Sequence, residues 1–152
     1  MEHVLMLPAV VTRAAIIVAA RGWIGTPYRH QGSLRGVGCD CLGLVRGVWR
    51  EVIGAEPEPP GAYSSDWAEA SGREALAEAA LRHLVTVPHD DFAAGDVLLF
   101  RWRTGFVAKH AAIASSAATM IHAHDGAAVC EIALAPWWRR RIAHAFRFPG
   151  VL

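Results

Sequence analysis

GVGCDCLGLV, at residues 36–45, is the most informative stretch of this sequence. Its glycines predict a loop that leads into a helix, and the first turn of that helix carries Cys41. A thiol there lies near unpaired backbone N–H groups and the positive end of the helix dipole. Both features stabilise a thiolate, so the pattern predicts that the pKa of Cys41 is lowered, as a nucleophile requires.

Two cysteines lie in this stretch, and position favours Cys41 over Cys39 as the reactive one. In a helix that starts near Cys39, Cys41 shares a side with Leu44 and Val48, and we expect that side to face the rest of the fold. Gly43 would let another backbone or a substrate approach the thiol closely. The spacing alone is equally compatible with a buried structural thiol, since free cysteines are often buried.

Composition indicates one folded domain over residues 1–152. Hydrophobic residues make up 53% and charged residues 19% of the chain, which excludes a disordered protein. The net charge of +1 gives no reason to expect binding to nucleic acid or to an anionic membrane. The odd count of 3 cysteines argues against a secreted disulfide scaffold and favours reduced thiols.

Neither a signal peptide nor a membrane span is predicted. The run at 14–20 is apolar, but Glu2 and Arg13 do not fit a signal peptide. No stretch approaches the roughly 20 apolar residues that a membrane span needs. We therefore expect synthesis and folding in the cytoplasm, with delivery elsewhere by another protein.

Helices are predicted in the first half of the chain and strands in the second. The helices cover 8–23, 39–53 and 66–84; the first would bury the apolar set Val11, Ala14, Ile17 and Val18. The strands cover 96–102, 110–114, 119–124, 127–132 and 141–148; the last would place Ile142, His144, Phe146 and Phe148 on one face. This order predicts an α+β fold in which the N-terminal helices pack on one antiparallel sheet.

A base for the thiol is expected among the 8 histidines, and position selects a pair. A three-residue loop at 115–117 would pair Ala114 with Ala118 and place His110 directly opposite His122. Cross-strand partners share a face, with Cβ atoms about 4.5–5.5 Å apart. One imidazole can then take the thiol proton while the other orients it.

The same face of the predicted sheet offers small residues beside the histidines. Ala112 and Ala114 would leave room for the helix that carries Cys41, which would complete a Cys-His-His arrangement. His122 alone is also compatible with an ordinary core histidine. His124 shares its face but lies one step further along, which makes it a weaker candidate.

Four ordered motifs carry a resemblance to a known family. They are Thr26-Pro27-Tyr28, DCLGL at 40–44, GDVLLF at 95–100, and the pair His110 and His122. Together they resemble the NlpC-type cell-wall peptidases over residues 10–148, and among these the small peptidases of tailed phages and gene transfer agents. The resemblance implies a papain-like fold and hydrolysis of peptidoglycan stem peptides, typically after γ-D-glutamyl.

The resemblance also implies roles for individual residues. By position these are Cys41 as nucleophile, His110 as base, His122 as the orienting residue, Tyr28 beside the nucleophile, and Asp40 as a contact for the free amine of the substrate. Leu42 stands where the family usually has serine, so a hydroxyl contribution to the subsite is missing. The backbone N–H of Cys41, an expected oxyanion donor, does not depend on that change.

The sequence therefore predicts a cysteine endopeptidase without metal or cofactor, carried by a phage-like tail to the cell wall in the periplasm of a target cell. Its expected partners are the stem peptide and tail-tip or baseplate proteins. An amidase or acyltransferase on the same scaffold is an alternative, and so is an inactive structural tail component. A metal-binding module built from Cys39, Cys41, His110 and His122 is a further alternative, although C-x-C is not the usual zinc spacing.

One conspicuous patch has no role in this scheme. Trp137-Trp138-Arg139-Arg140-Arg141 would suit the docking of a tail protein or a glycan, because Trp and Arg are enriched in interface hot spots. A core-packing turn before the last strand explains the same residues equally well.

Overall fold

The computed structural model describes residues 10–57 and 74–151. The first part contains helix α1 (Arg13–Arg21), a short hairpin of β1 (Ser33–Leu34) and β2 (Gly38–Cys39), and helix α2 (Cys41–Val52). The second part contains α3 (Ala75–His83), β3 (Val85–Val87), β4 (Val97–Phe100), β5 (His110–Ala114), β6 (Thr119–His122), β7 (Cys130–Ala133), α4 (Pro136–Arg139) and β8 (Ile142–Arg147).

Six strands form one antiparallel sheet in the order β3-β8-β4-β5-β6-β7. Residues alternate between its two faces. On one face, Leu44 and Val48 of α2 pack with Leu99, Ala111 and Ile113, and we call this the helix face. The other face buries a second apolar cluster that includes Phe100, Ala112, Ala114 and Trp138, and we call it the Trp138 face. Helices on a single antiparallel sheet confirm the predicted α+β class.

The buried side of α1 differs from the prediction. Of the predicted set Val11 is buried, but Val18 is 70% exposed, and the buried residues of the helix are Ile16, Ala19 and Ala20. Because every residue at 14–20 is apolar, the periodicity cannot show which side faces inward. The start of the helix is set by Thr12, whose side-chain oxygen accepts a hydrogen bond from the N–H of Ala15 at 3.0 Å.

The predicted single face of the last strand is interrupted. Phe146 and Phe148 lie on the helix face, but Ile142 packs on the Trp138 face. The pairing of β4 with β8 shifts register between Leu99 and Phe100, as at a β-bulge. A bulge inserts one extra residue in a strand and so reverses the side to which the residues beyond it point.

Several other boundaries were predicted only in part. The helix predicted at 66–84 is present as α3, and its first residues, together with Pro8 of the first helix, lie outside the described residues. The hairpin β1–β2, strand β3 and helix α4 were not predicted; each has four residues or fewer. Within the described residues, no helix is long and apolar enough to cross a membrane.

Candidate active site

Cys41 is the first residue of α2, and Asp40 caps that helix. One carboxylate oxygen of Asp40 accepts from the N–H of Gly43 at 2.7 Å, and the other accepts from the N–H of Gln31 at 2.7 Å. Asp40 is only 2% exposed. Its carboxylate thus fixes both the helix start and the preceding loop, and the predicted contact with a substrate amine stays a prediction.

Gly43 is needed for the close approach of a neighbouring backbone. A Cβ at this position would collide with the carbonyl oxygen of Gly32. The Ser33 hydroxyl also donates to the Gly43 carbonyl at 2.7 Å. The loop before the cysteine is therefore anchored directly on the first turn of α2, which holds Cys41 in place.

The pKa of Cys41 is raised to about 11, opposite to the prediction from its helix position. Burial of the sulfur is the largest cause, and the neighbouring charge of Asp40 adds to it. The backbone N–H groups of Ala111, Leu42 and Cys41 itself favour the thiolate, but they do not outweigh burial. At physiological pH the Cys41 thiol is therefore neutral.

His110 and His122 form a buried, hydrogen-bonded pair. The Nε2 atom of His110 lies 2.9 Å from Nδ1 of His122, and the residues are 4% and 3% exposed. The rings are nearly perpendicular, at 80°. This bond occupies Nε2 of His110, so its Nδ1 is the nitrogen that can exchange a proton with a thiol or an amine.

The pair forms in a register that differs from the predicted one. Ala114 pairs with Met120 rather than with Ala118, so the β5–β6 connection is two residues longer than expected. A shift of two residues keeps every side chain on its predicted face, whereas a shift of one would reverse it. His110 therefore reaches His122 diagonally on the same face.

Aromatic rings enclose the histidine pair. Trp102 stacks on His110 with centroids 5.3 Å apart and planes at 25°. Trp138 contacts both imidazoles, at 5.7 Å from His110 and 5.3 Å from His122. His124 stacks on His122 at 5.8 Å and meets His110 edge-on at 5.5 Å. The rings therefore hold both imidazoles in place on the Trp138 face.

Both imidazoles are held in the neutral form. Burial lowers the pKa of His110 well below its usual value, and the charges of His122 and His124 lower it further. Burial also lowers the pKa of His122 to about 4, again with a contribution from His124. At neutral pH, His110 is thus a proton acceptor rather than an imidazolium.

The face of the sheet on which α2 packs was predicted wrongly. Ala112 and Ala114 do not make room for α2, because they are buried in the Trp138-face cluster, whereas α2 packs on Ala111 and Ile113. The thiol of Cys41 instead meets the backbone N–H of Ala111, the residue next to His110 in the chain. Within the described ranges, no hydrogen bond joins the Cys41 thiol to His110.

Tyr28 lies beside the thiol, as the resemblance implied. Burial raises the pKa of its hydroxyl to about 12, followed by the charges of Cys41 and Asp40. Its backbone forms a parallel bridge with Cys39. Leu42, on the other side of Cys41 in the chain, lines an apolar cavity of about 140 Å³ that also includes Leu99.

A model of the NlpC/P60 family matches residues 25–147. The chain belongs to the NlpC/P60 family. The match includes all five residues assigned above, and helices on an antiparallel sheet are the family's papain-like fold, as predicted. No curated protein sequence matches the chain.

Solved structures of NlpC/P60 proteins share the fold. The chain is 26% identical to the NlpC/p60 domain of the peptidoglycan hydrolase SagA, with a TM-score of 0.62, covering 90% of this chain and 98% of that one. An NlpC/P60 family protein from Bacillus cereus is 21% identical with a TM-score of 0.64. A lipoprotein-like member from Staphylococcus aureus is 20% identical with a TM-score of 0.57. The alignments cover 90% of this chain but only 40% and 41% of those two chains.

The remaining cysteines do not add to this NlpC/P60 site. Cys39 is fully buried, and burial, followed by the charge of Asp40, raises its pKa to about 12. Cys130 lies at the start of β7, on the strand paired with β6. In the part of the chain that the structure describes, no group of three or more His, Cys, Asp or Glu side chains is arranged to hold a metal ion.

Sequence reasoning missed Trp102 as part of the site. It lies just beyond the end of β4 and reaches the pair through its stack on His110. Trp138 had been noted only within the conspicuous patch, which proves to be mixed: Trp138 packs in the Trp138-face cluster, whereas Trp137 is 44% exposed. No sequence signal pointed to Trp102, because its stack on His110 depends on the path of the chain beyond β4.

Proposed function

We propose that this NlpC/P60 chain is a cysteine endopeptidase that cleaves peptidoglycan stem peptides after γ-D-glutamyl. The observation that carries the proposal is the buried 2.9 Å bond between Nε2 of His110 and Nδ1 of His122. It leaves Nδ1 of His110 for proton exchange and lies beside the strand residue that the Cys41 thiol contacts. The match to the family over residues 25–147 supports the reaction class.

In the proposed reaction, substrate binding brings the Cys41 thiol and Nδ1 of His110 together at the end of the sheet where His110 begins β5. Because the thiol and the imidazole are both neutral at rest, His110 takes the thiol proton as sulfur attacks the carbonyl carbon. Contacts that shorten only in the substrate complex are common in enzymes described without ligand. The histidine pair therefore accepts the proton during the attack, and no thiolate–imidazolium ion pair is formed beforehand.

The developing oxyanion has donors close by. The backbone N–H groups of Cys41 and Leu42 already point toward the sulfur, where the tetrahedral intermediate forms. When the intermediate collapses, the C–N bond breaks and the leaving amine takes the proton from His110. Water then attacks the thioester, His110 accepts its proton, and the thiol and a carboxylic acid are released. No step requires a group outside the chain other than water and substrate.

The decisive experiment is mass spectrometry of muropeptides digested by the protein. The proposal expects products cut after γ-D-glutamyl, none with Cys41→Ala, and most of the activity with Cys39→Ala as the matched control, because Cys39 is buried and its pKa is about 12. Cleavage between glycan and peptide would instead identify an amidase. A dead Cys39→Ala beside an active Cys41→Ala would refute the choice of nucleophile.

We further propose that the protein acts on the wall of a target cell from a phage-like tail, with tail-tip or baseplate proteins as partners. The four ordered motifs at 26–28, 40–44, 95–100 and the His110–His122 pair support this through their resemblance to small tail-associated peptidases. Purification of tail particles followed by immunoblotting tests it. Protein found only in the soluble fraction of lysed producer cells, and absent from the particles, would contradict it.

A further inference from the structure

A second cleft lies next to the histidine pair, and none of the described residues that line it carries a carboxylate. It encloses about 630 Å³ and is lined by His89, Arg101, Trp102, Arg103, Thr104, Arg140, Arg141, Ile142 and Ala143. We call it the arginine cleft, after Arg101, Arg103, Arg140 and Arg141. Four guanidinium groups around one concave space make a local positive site in a chain whose net charge is only +1.

Within the part of the chain that the structure describes, three of the four arginines have no acidic partner. Arg101 lies 3.5 Å from Glu74, which offsets its charge. Among the residues at 10–57 and 74–151, no ion pair joins Arg103, Arg140 or Arg141 to a carboxylate. Arg103 and Arg140 are exposed to solvent. The cleft thus offers unneutralised guanidinium groups to an anion.

Arg141 is held in position before any ligand arrives. Its Nη1 donates to the Trp137 carbonyl at 2.8 Å, and its Nε donates to the Trp102 carbonyl at 3.3 Å. Its guanidinium lies 3.8 Å from the centroid of the Trp137 ring. These contacts restrict the motion of the guanidinium, so little side-chain entropy remains to be lost on binding.

Trp102 connects the cleft to the chemistry. It lines the cleft and also stacks on His110 at 5.3 Å. In the proposed reaction, His110 gives its proton to the leaving amine, so the leaving half of the peptide must lie on the side of His110. The Leu42 side of the site is apolar instead. An anionic group on the leaving half would therefore meet the arginine cleft.

We infer that the arginine cleft binds a free carboxylate on the leaving half of the peptide substrate; this rests on the proposed function. A planar guanidinium matches a carboxylate through paired N–H···O bonds. A long basic stripe, as a nucleic acid requires, is not expected at a net charge of +1. A peptide that is bound at His110 presents a single carboxylate on its leaving half, and one cleft of this size is enough to bind it.

Two peptides that differ in one group test the inference. Both carry the γ-D-glutamyl bond, and the leaving half ends in a free carboxylate in one and in a carboxamide in the other. The expected kcat/KM of the wild type is about tenfold or more higher for the acid than for the amide. In Arg140→Gln and Arg103→Gln that ratio should fall toward one, because kcat/KM on the acid falls.

Arg21→Gln serves as the matched control, because Arg21 is an exposed arginine paired with Glu131, outside the cleft lining. It should keep the wild-type ratio. A wild type that does not distinguish acid from amide, or a ratio that survives both cleft substitutions, overturns the inference. A loss of the ratio in Arg21→Gln as well would show a general charge effect and would also overturn it.

A binding measurement separates this inference from the proposed function. Calorimetry with Cys41→Ala should show binding of the acid peptide about tenfold or more tighter than of the amide, and Arg140→Gln should remove the difference. If the wild type cleaves neither peptide but this difference is present, the proposed reaction fails and the cleft assignment stands. Equal binding of acid and amide overturns the cleft assignment, as does displacement of the acid by inorganic phosphate at a lower concentration than by acetate.

Discussion

The strongest test of the site is a series of substitutions at His122. In the proposed reaction His110 becomes positively charged while its Nε2–H donates to Nδ1 of His122 across 2.9 Å. Both residues are almost fully buried, so water cannot replace a lost acceptor. A hydrogen bond to a charged group contributes about 1.5–3 kcal/mol. At 1.36 kcal/mol per factor of ten, His122→Ala should lower kcat about 10- to 150-fold.

An amide side chain should restore part of this loss. The carbonyl oxygen of His122→Gln or His122→Asn can accept the bond from His110, since orientation needs an acceptor and not a titrating group. Both variants should therefore be faster than His122→Ala. His110→Ala removes the base itself and should leave almost no activity, with a loss of about 100-fold or more.

His124→Ala is the matched control for this series. His124 contacts the same rings, at 5.5 Å from His110 and 5.8 Å from His122, without a hydrogen bond to either. Its removal should leave kcat at neutral pH near that of the wild type. The assay is turnover of one defined muropeptide, with circular dichroism to verify the fold. Complete and equal loss in every His122 variant would mean that His122 itself transfers protons, and wild-type rates in His110→Ala would refute the site.

The remaining predictions concern pH, stability and metals. Folding lowers the pKa of His122 from 6.5 to about 4. Between these two pH values the unfolded chain therefore binds more protons than the folded protein does. Acidification from pH 6.5 to 4 should thus lower the free energy of unfolding. The contribution of His122 is about 3 kcal/mol at most, and urea titrations of His122→Gln should show a correspondingly weaker pH dependence. Asp96 is fully buried and pairs with Arg13 at 3.2 Å and with Arg147 at 2.9 Å. Asp96→Ala should therefore lower the free energy of unfolding, measured by urea denaturation, by about 3–5 kcal/mol. A loss of less than about 1 kcal/mol would contradict this prediction. Purified protein should contain no stoichiometric zinc or iron by elemental analysis, and EDTA should leave turnover unchanged; activity lost with EDTA and restored by zinc would support the metal-binding alternative.

Sequence patterns predicted correctly the features of the site that depend on only a few neighbouring residues. The glycines around Cys41 predicted a helix start there, and the pairing of the two strands predicted His110 and His122 on one face, because both signals are contained within a few residues. The register of β5 with β6 was wrong by two residues, because the length of the connection at 115–119 depends on hydrogen bonds that composition does not reveal.

Properties that depend on tertiary packing could not be predicted. The helix position of Cys41 favours a thiolate, yet desolvation of the thiol in the folded protein outweighs that effect and raises its pKa. The buried side of α1 was wrong because an apolar stretch fits the core on any side until its neighbours are known. The β-bulge between Leu99 and Phe100 moved Ile142 to the other face with no local sequence signal.

The position of β8 has a consequence for how the chain is made. β8 is the last strand in sequence, but it lies between β3 and β4 in the sheet. Until the ribosome has released β8, those two strands have no common partner, and Asp96 lacks Arg147. A nascent or truncated chain without β8 therefore exposes strand edges that favour aggregation. Synthesis of β8, rather than collapse of the early helices, should commit the domain to its fold.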